Sequence, residues 1–360
     1  MNLFFINHQL FDIIKHKEID CMFSNFYEEG KKFIKEYYKS IIFFVLFYLF
    51  LMFPLNFYIT TGGGIMEVGD RIVVKDSKYK EKGSFNLAYV SEIKATPATY
   101  LLSYVMKDWE RVEVNKYTYS DEEDIKDVEF RGKIDLLNSN NNAVKNAFQM
   151  ASKSYKVLST SLYIYYVDPK SPNDFKVGDQ IIAVNGREIS NIDEYKTAVA
   201  NYQSGDTLDV TVKREEKEKI ISATLYEEKE KVIMGIYISA INKYKTYPKV
   251  EFNFKSRESG PSGGLIEALS IYNKLVKEDI TKGKKIVGTG EIDSEGNILE
   301  IGGVKYKLLG AEKQKADIFF APKGENYKTC IKLKKEKNLK IKVVEVETLK
   351  DAIEYLENMK

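Results

Sequence analysis

Hydrophobic and polar positions divide the chain into stretches of different period. The first long feature is SIIFFVLFYLFLMFPLNFYI, residues 40–59, in which Asn56 is the sole strongly polar interior residue. At about 1.5 Å per residue this stretch just crosses a hydrocarbon core of about 30 Å, which predicts a transmembrane helix over 40–60. A buried core helix is the competing reading. The aromatics and Pro54 near its end suit an interfacial exit. Ahead of it, FSNFYEEGKKFIKEYYK places aromatic and aliphatic residues at helical spacing. That predicts one or two short amphipathic helices within residues 1–39, with a loosely ordered tail as the alternative. Lys31, Lys32, Lys35 and Lys39 precede the apolar run and the next basic residue is Arg71. This bias expects a single-pass cell-membrane protein with its N-terminus cytoplasmic and its larger part extracytoplasmic. A cleaved signal peptide fits less well, because the segment ahead of the apolar run is too long.

Beyond TTGGG, read as a linker, the pattern separates three pieces. In residues 65–155, GDRIVVKD and GSFNLAYVSEI predict strands and ATPATYLLSYVMKDW a helix. NSNNNAVKNAFQMASKSY reads as turn-forming asparagines that become a helix near Ala143. In residues 156–228, SLYIYYV is a strand, and V-G-D-x-I-x-x-V-N-G gives a turn, a short apolar strand and an Asn185–Gly186 hairpin turn. NIDEYKTAVANY follows as a helix capped by Asn191, then GDTLDVTVKRE and KIISATLYE as strands. Residues 230–360 open with the strands VIMGIYISAI and YPKVEFNF. LIEALSIYNKLV has apolar residues at 265, 266, 269, 272, 275 and 276, one face of a helix. Alternating strands and helices follow to TLKDAIEYLENM, capped by Thr348, so this piece is α/β.

Composition narrows the chemistry. The 360 residues, 44% hydrophobic, allow two or three domains with ample core. Lys+Arg number 55 against 53 Asp+Glu, so no global field calls for nucleic acid. Cys21 and Cys330 make no disulfide framework, and a membrane span between them would keep them apart. The two histidines, His8 and His16, both lie near the start. No Ser-His-Asp triad, Cys-His pair or His-rich zinc site can therefore form in the later pieces.

One hydroxyl stands out. In ESGPSGGLIEAL, residues 258–269, Ser262 sits between a proline and two glycines at a helix start. A serine there commonly caps the helix. The glycines also admit close approach of a ligand, and the helix N-terminus offers N–H groups to a developing oxyanion. An activated serine needs a base. Without histidine, that base is a lysine, a carboxylate or an amine, and a lysine must be buried to lose its proton near neutrality. Most lysines lie in solvated charge runs; EIGGVKYKLLGA, residues 300–311, instead sets Lys305 and Lys307 among Ile301, Val304, Leu308 and Leu309. Helical periodicity leaves the choice between these two open.

Two resemblances then enter. The order of elements over residues 156–228 resembles a PDZ domain of the circularly shifted kind found in bacterial proteases. PDZ domains capture extended peptides by adding a strand to a sheet edge. Their carboxylate-holding loop is glycine-rich, whereas LSTSLYIYY contains no glycine. Binding of an internal segment and a structural role are the open alternatives. GPSGG, GTGEID-x-x-G-x-I and IGGVKYKLLGA, in this order, resemble the proteolytic domain of Lon proteases (peptidase family S16). With the apolar run and the PDZ-like unit, residues 41–360 resemble the ATP-independent Lon-like proteases of Gram-positive bacteria.

The resemblance implies an α/β (α+β) multidomain protein: a transmembrane helix, a PDZ-like β-rich domain and a Lon-type α/β proteolytic domain over 230–360. It implies Ser262 as nucleophile, Lys307 as general base, Thr289 as the residue orienting the lysine, and Lys305 as structural. Gly260, Pro261 and Gly263 would shape an oxyanion hole with backbone N–H groups. Here S-G-P-S-G-G stands where the family has G-G-P-S-A-G, so Ser259 adds a second hydroxyl and Gly263 loosens the first helical turn. No cofactor or metal is implied, and no P-loop occurs. The expected activity is ATP-independent cleavage of flexible peptide or protein segments at the outer membrane face, with a homo-oligomer left open. The alternative is a membrane-tethered PDZ scaffold with an inactive protease fold.

Overall fold

The computed structural model describes residues 3–77, 79, 81–106, 108–120, 123–255 and 258–359, with side chains from residue 27 onward. The chain divides into two compact units.

The first unit joins Met1–Ile59 to Lys94–Lys107. It holds helix α1 (Leu3–Met52), one continuous element rather than short helices followed by a span. The helix stops just before Phe53–Pro54, because a proline disfavours helical geometry in the residue ahead of it. Strand β1 (Phe57–Glu67) then begins within the apolar run. The apolar stretch is thus split between two kinds of element. Its helical part, Ile41–Met52, is only about 18 Å long at the helical rise and follows turns carrying Lys31, Lys32, Lys35, Glu36 and Lys39. Among the described residues no helix is long and apolar enough to cross a membrane, which corrects the transmembrane helix expected over 40–60. The amphipathic reading of residues 1–26 lies outside the described side chains. Within this unit Leu55 N–H donates to Ala95 O at 2.8 Å, and Ala95 N–H to Phe57 O at 2.9 Å.

The second unit, Thr60–Ile93 with Asp108–Lys360, contains the site and most of the strands, which form two six-stranded sheets and three two-stranded ones. After β1 the chain forms β2 (Ile72–Val74), β3 (Ser84–Lys94), the short helix α2 (Pro97–Leu102), which belongs to the first unit, β4 (Glu110–Glu113) and the long helix α3 (Ile125–Met150). Then come β5 (Tyr155–Val167), β6 (Gln180–Val184), β7 (Arg187–Glu188), α4 (Ile192–Val199), β8 (Thr207–Arg214) and β9 (Lys217–Thr224). The hairpin β10 (Tyr226–Glu228) and β11 (Lys231–Ile233) leads to β12 (Ile236–Thr246) and β13 (Val250–Phe252). The remainder is α5 (Gly264–Leu275), β14 (Lys285–Gly288), β15 (Glu291–Ile292), β16 (Ile298–Leu299), α6 (Val304–Lys313), β17 (Ile318–Pro322), α7 (Glu325–Lys337), β18 (Lys342–Val346) and α8 (Leu349–Glu357).

One sheet has the order β18-β17-β14-β3-β1-β4, with β3, β14, β17 and β18 parallel. The strand β17, IFFAP, is an apolar run buried at every position, because both of its faces are covered. Strands from residues 65–155 therefore do not form a separate membrane-proximal region; β1 and β3 are interior strands of the sheet that carries the C-terminal elements. TTGGG, expected as a linker, lies inside β1. The asparagine-rich stretch at 138–142 is not a turn but the middle of α3, whose N-cap is Asp124. One large core buries Phe85 and Phe148 with Leu265, Ile266, Leu269, Phe320 and Leu356.

The other sheet has the order β12-β5-β6-β8-β9. Its own core includes Leu162, Ile164, Ile181, Leu208, Val210 and Val212. The Asn191 cap is present, with Asn191 Oδ1 accepting from Glu194 N–H at 2.9 Å. The expected boundary near 228–230 moves, because β12 completes this sheet.

Candidate active site

Ser262 lies in the loop between β13 and α5. Gly260 adopts φ +88°, a left-handed conformation open to glycine without strain, which turns the chain into the Pro261–Ser262 segment. Gly263 is the N-cap of α5 and that helix has no side-chain cap. The Ser262 hydroxyl is therefore not spent on the helix. It accepts a hydrogen bond from Lys307 Nζ at 2.9 Å.

Lys307 comes from α6, whose N-cap Gly303 is also left-handed at φ +70°. Lys307 is only 3% exposed and lies in the helix face turned inward with Val304, Leu308 and Ala311. Burial pulls its pKa down from the usual lysine value to about 8, opposed weakly by the negative charge of Glu92. Lys305, two positions earlier, is exposed, with its ammonium 4.8 Å from the centre of the Tyr306 ring.

Thr289 completes the cluster. It is fully buried after β14, accepts from Lys307 Nζ at 3.0 Å and donates its hydroxyl to Ser262 O at 3.1 Å. The same Ser262 carbonyl accepts from Gly290 N–H at 2.9 Å, and Leu265 N–H donates back to Gly290 O at 3.1 Å. The serine loop and the Thr289–Gly290 turn are thus bonded together on both sides of the hydroxyl.

The expected oxyanion hole changes in composition. Gly260 N–H donates to Gly132 O at 2.8 Å, and Pro261 has no N–H. Both shape the loop without offering a donor. Gly264 N–H is turned to Pro261 O at 3.3 Å. Gly263, with Ser262 itself, is left as the source of N–H groups at the mouth of α5. Ser259 is exposed, and a β-carbon on Gly132 would lie 3.5 Å from its Oγ.

Several supporting residues escaped the sequence reading. Ser139 Oγ in α3 donates to Pro261 O at 3.0 Å, and a β-carbon on Gly264 would lie 2.7 Å from that oxygen. Asn142 and Asn146 in the same helix donate to Ile292 O and Asp293 O, each at 2.9 Å, and Lys145 to Ser294 O at 2.8 Å. One helix therefore holds both the serine loop and the strand pair after Thr289. The signal was present as short polar residues at 139, 142 and 146, spaced three and four apart. Arg71 clamps the approach to the loop through Glu258, at 2.6 and 2.9 Å. Glu267, one turn into α5, is fully buried with both carboxyl oxygens lacking a hydrogen-bond partner among the described residues. Burial pushes its pKa up to about 8. A β-carbon on Gly263 would meet its Oε1 at 2.6 Å, so glycine at 263 makes room for this carboxyl.

Among the described residues no group of His, Cys, Asp and Glu is disposed to hold a metal. A hydroxyl at a helix start, bonded to a buried lysine amine, pairs a nucleophile with a group able to take its proton. Residues 254–358 match the Lon protease (S16) C-terminal proteolytic domain, and residues 140–225 match the PDZ domain. The Lon protease of Aster yellows witches'-broom phytoplasma is 35% identical over 94 residues, 26% of this chain and 12% of that protein. The Lon protease of Mesomycoplasma hyopneumoniae is 32% identical over 99 residues, 28% of this chain and 11% of that protein. Lon protease 2 of Borreliella burgdorferi is 27% identical over 252 residues, 67% of this chain and 30% of that protein. The chain carries a Lon-type (S16) proteolytic domain and a PDZ domain, and it spans less than a third of the length of these relatives.

Proposed function

We propose that this chain is a serine endopeptidase with a Ser262–Lys307 dyad, acting on flexible peptide or protein segments. The observation that carries the reading is the 2.9 Å contact between Lys307 Nζ and Ser262 Oγ, made by an amine that is almost wholly buried. At a pKa of about 8, roughly a tenth of the lysine is neutral at pH 7, far more than an exposed lysine supplies.

In the neutral form Nζ accepts the Ser262 proton while Thr289 Oγ1 keeps one Nζ–H directed away from the reaction. Oγ attacks the scissile carbonyl carbon, and the N–H groups of Gly263 and Ser262 receive the oxyanion, aided by the positive end of α5. The ammonium of Lys307 returns the proton to the leaving amine. Water, deprotonated by the same amine, then attacks the acyl-enzyme ester and releases Ser262. Thr289 and Ser139 act through the loop, holding Ser262 O and Pro261 O.

These steps draw on no nucleotide, and no P-loop sequence occurs in the 360 residues. The reading is tested by incubating the full chain with an unstructured protein such as casein in the absence of ATP. Fragments are expected from the wild type and none from Ser262→Ala; equal cleavage by both would overturn it.

A further inference from the structure

The first turn of α5 follows the nucleophile as Gly263–Gly264, and no side chain caps it. Two glycines in succession leave the backbone unusually free, yet the reaction needs Gly263 N–H held in one place. The restraint comes from outside the turn. At Gly264 a β-carbon would lie 2.5 Å from Ile292 Cγ2, so strand β15 closes that side. Gly263 has φ −88° and ψ −16°, a conformation open to any L-residue. Glycine therefore stands at 263 for space and not for dihedral freedom.

Glu267 takes that space. A β-carbon on Gly263 would meet its Oε1 at 2.6 Å, its Cδ at 3.4 Å and Leu87 Cδ1 of β3 at 3.3 Å. Glu267 N–H also donates to Gly263 O at 3.0 Å, so one residue holds Gly263 by backbone and by side chain. The side chain is fully enclosed and cannot swing aside as a surface glutamate would. Neither carboxyl oxygen has a hydrogen-bond partner among the described residues, so polar bonding does not account for a carboxyl at this position. It lies instead against the residue that follows the nucleophile.

We propose that Glu267 is a positioning residue for the reaction of Ser262. Its carboxyl fills the place of a β-carbon on Gly263, fixes the first turn of α5 and so keeps Gly263 N–H aimed at the oxyanion. Positions 263 and 267 are then complementary. An added methyl at 263 needs a shorter side chain at 267, and a shorter side chain at 267 alone leaves the turn loose. The assignment rests on the proposed Ser262–Lys307 dyad.

The test is a double-mutant cycle on the full chain, read by hydrolysis of a fluorogenic peptide. Gly263→Ala and Glu267→Leu are each expected to lower kcat at least about tenfold with KM within a factor of about two. Leucine ends one atom earlier than glutamate, so the double variant clears the 2.6 Å overlap and is expected to return to within about threefold of wild-type kcat. Glu267→Gln, which keeps the shape, should stay within the same range. A peptide boronate, which forms a tetrahedral adduct on a serine hydroxyl, is expected to lose affinity in parallel with kcat, whereas substrate KM does not move. Losses that multiply in the double variant, or Glu267→Leu with wild-type kcat, overturn the assignment. Should Gly263→Ala not fold, Glu267→Leu and Glu267→Gln decide, and equal kcat in those two overturns it. A wild type with no Ser262-dependent cleavage sinks the dyad and this assignment together, whereas cleavage with multiplying losses sinks this assignment alone.

Discussion

Gly63 in β1 and Gly310 in α6 meet backbone to backbone. A β-carbon on Gly310 would come within 2.7 Å of the carbonyl carbon and oxygen of Gly63 and 2.9 Å from Gly64 N, and one on Gly63 would meet Tyr306 O at 2.8 Å. Backbone atoms in a sheet cannot give way as the tip of a side chain can. The contact lets α6 lie directly on β1, and Lys307 is one turn away from it on the same helix. Gly310→Ala gains up to about 1 kcal/mol of helix propensity. It is nevertheless expected to lower the melting temperature and to reduce kcat at least tenfold, because the helix must back away from the sheet and carry Nζ with it.

Removing either member of the dyad is expected to abolish cleavage. Ser262→Ala and Lys307→Ala should each cost at least about 10³-fold in kcat, and the double variant little more, since the two act as a unit. Lys305→Ala and Ser259→Ala should stay within a factor of about three of wild type, because both side chains are exposed. Steady-state hydrolysis of a fluorogenic peptide by these five variants checks each expectation.

The pH profile follows from the lysine. Its pKa lies at about 8, lowered by burial, and its active form is the neutral amine. kcat/KM should therefore rise tenfold per pH unit below about 8 and level off above it. A profile flat between pH 6 and 9 would count against Lys307 as the base.

Glu267 gives a stability signature of opposite kind. Its carboxyl is raised to about 8 by burial, so the folded chain holds a proton that the unfolded chain releases near 4.5. This contribution is fully present below pH 4.5 and is lost as pH rises through 8. By pH 7 the loss is of order 3 kcal/mol relative to pH 4.5. Glu267→Gln, which has no proton to lose, is expected to remove that slope. Urea denaturation of both proteins at pH 5 and pH 7.5 measures the difference.

Ser139 supports the serine loop without approaching substrate. Ser139→Ala removes its bond to Pro261 O and should cost about 1 kcal/mol of stability. As a positioning residue it should lower kcat several-fold while leaving KM near its wild-type value, a split that steady-state kinetics reads directly.

Much of the protein was legible in the linear pattern. The spacing of apolar residues marked α5, β17 and α8, and local chemistry marked the caps at Asn191 and Thr348, because both depend on neighbours within a few residues. The absence of histidine after residue 16 narrowed the base to a few residue types. Other assignments needed distant partners. Lys305 and Lys307 lie about 200° apart around one helix, so only packing decides which faces inward, and the Gly63–Gly310 contact made that decision. The run from Ser40 to Ile59 is apolar throughout, yet Pro54 and the pairing of β1 divided it into helix and strand. The polar face of α3 looked like a turn because its partners, Pro261 O, Ile292 O and Asp293 O, stand more than a hundred residues away. For the same reason β12 read as the opening of the last domain: a strand's sequence records that it will be paired and half-buried, whereas the sheet that accepts it is chosen by the fold.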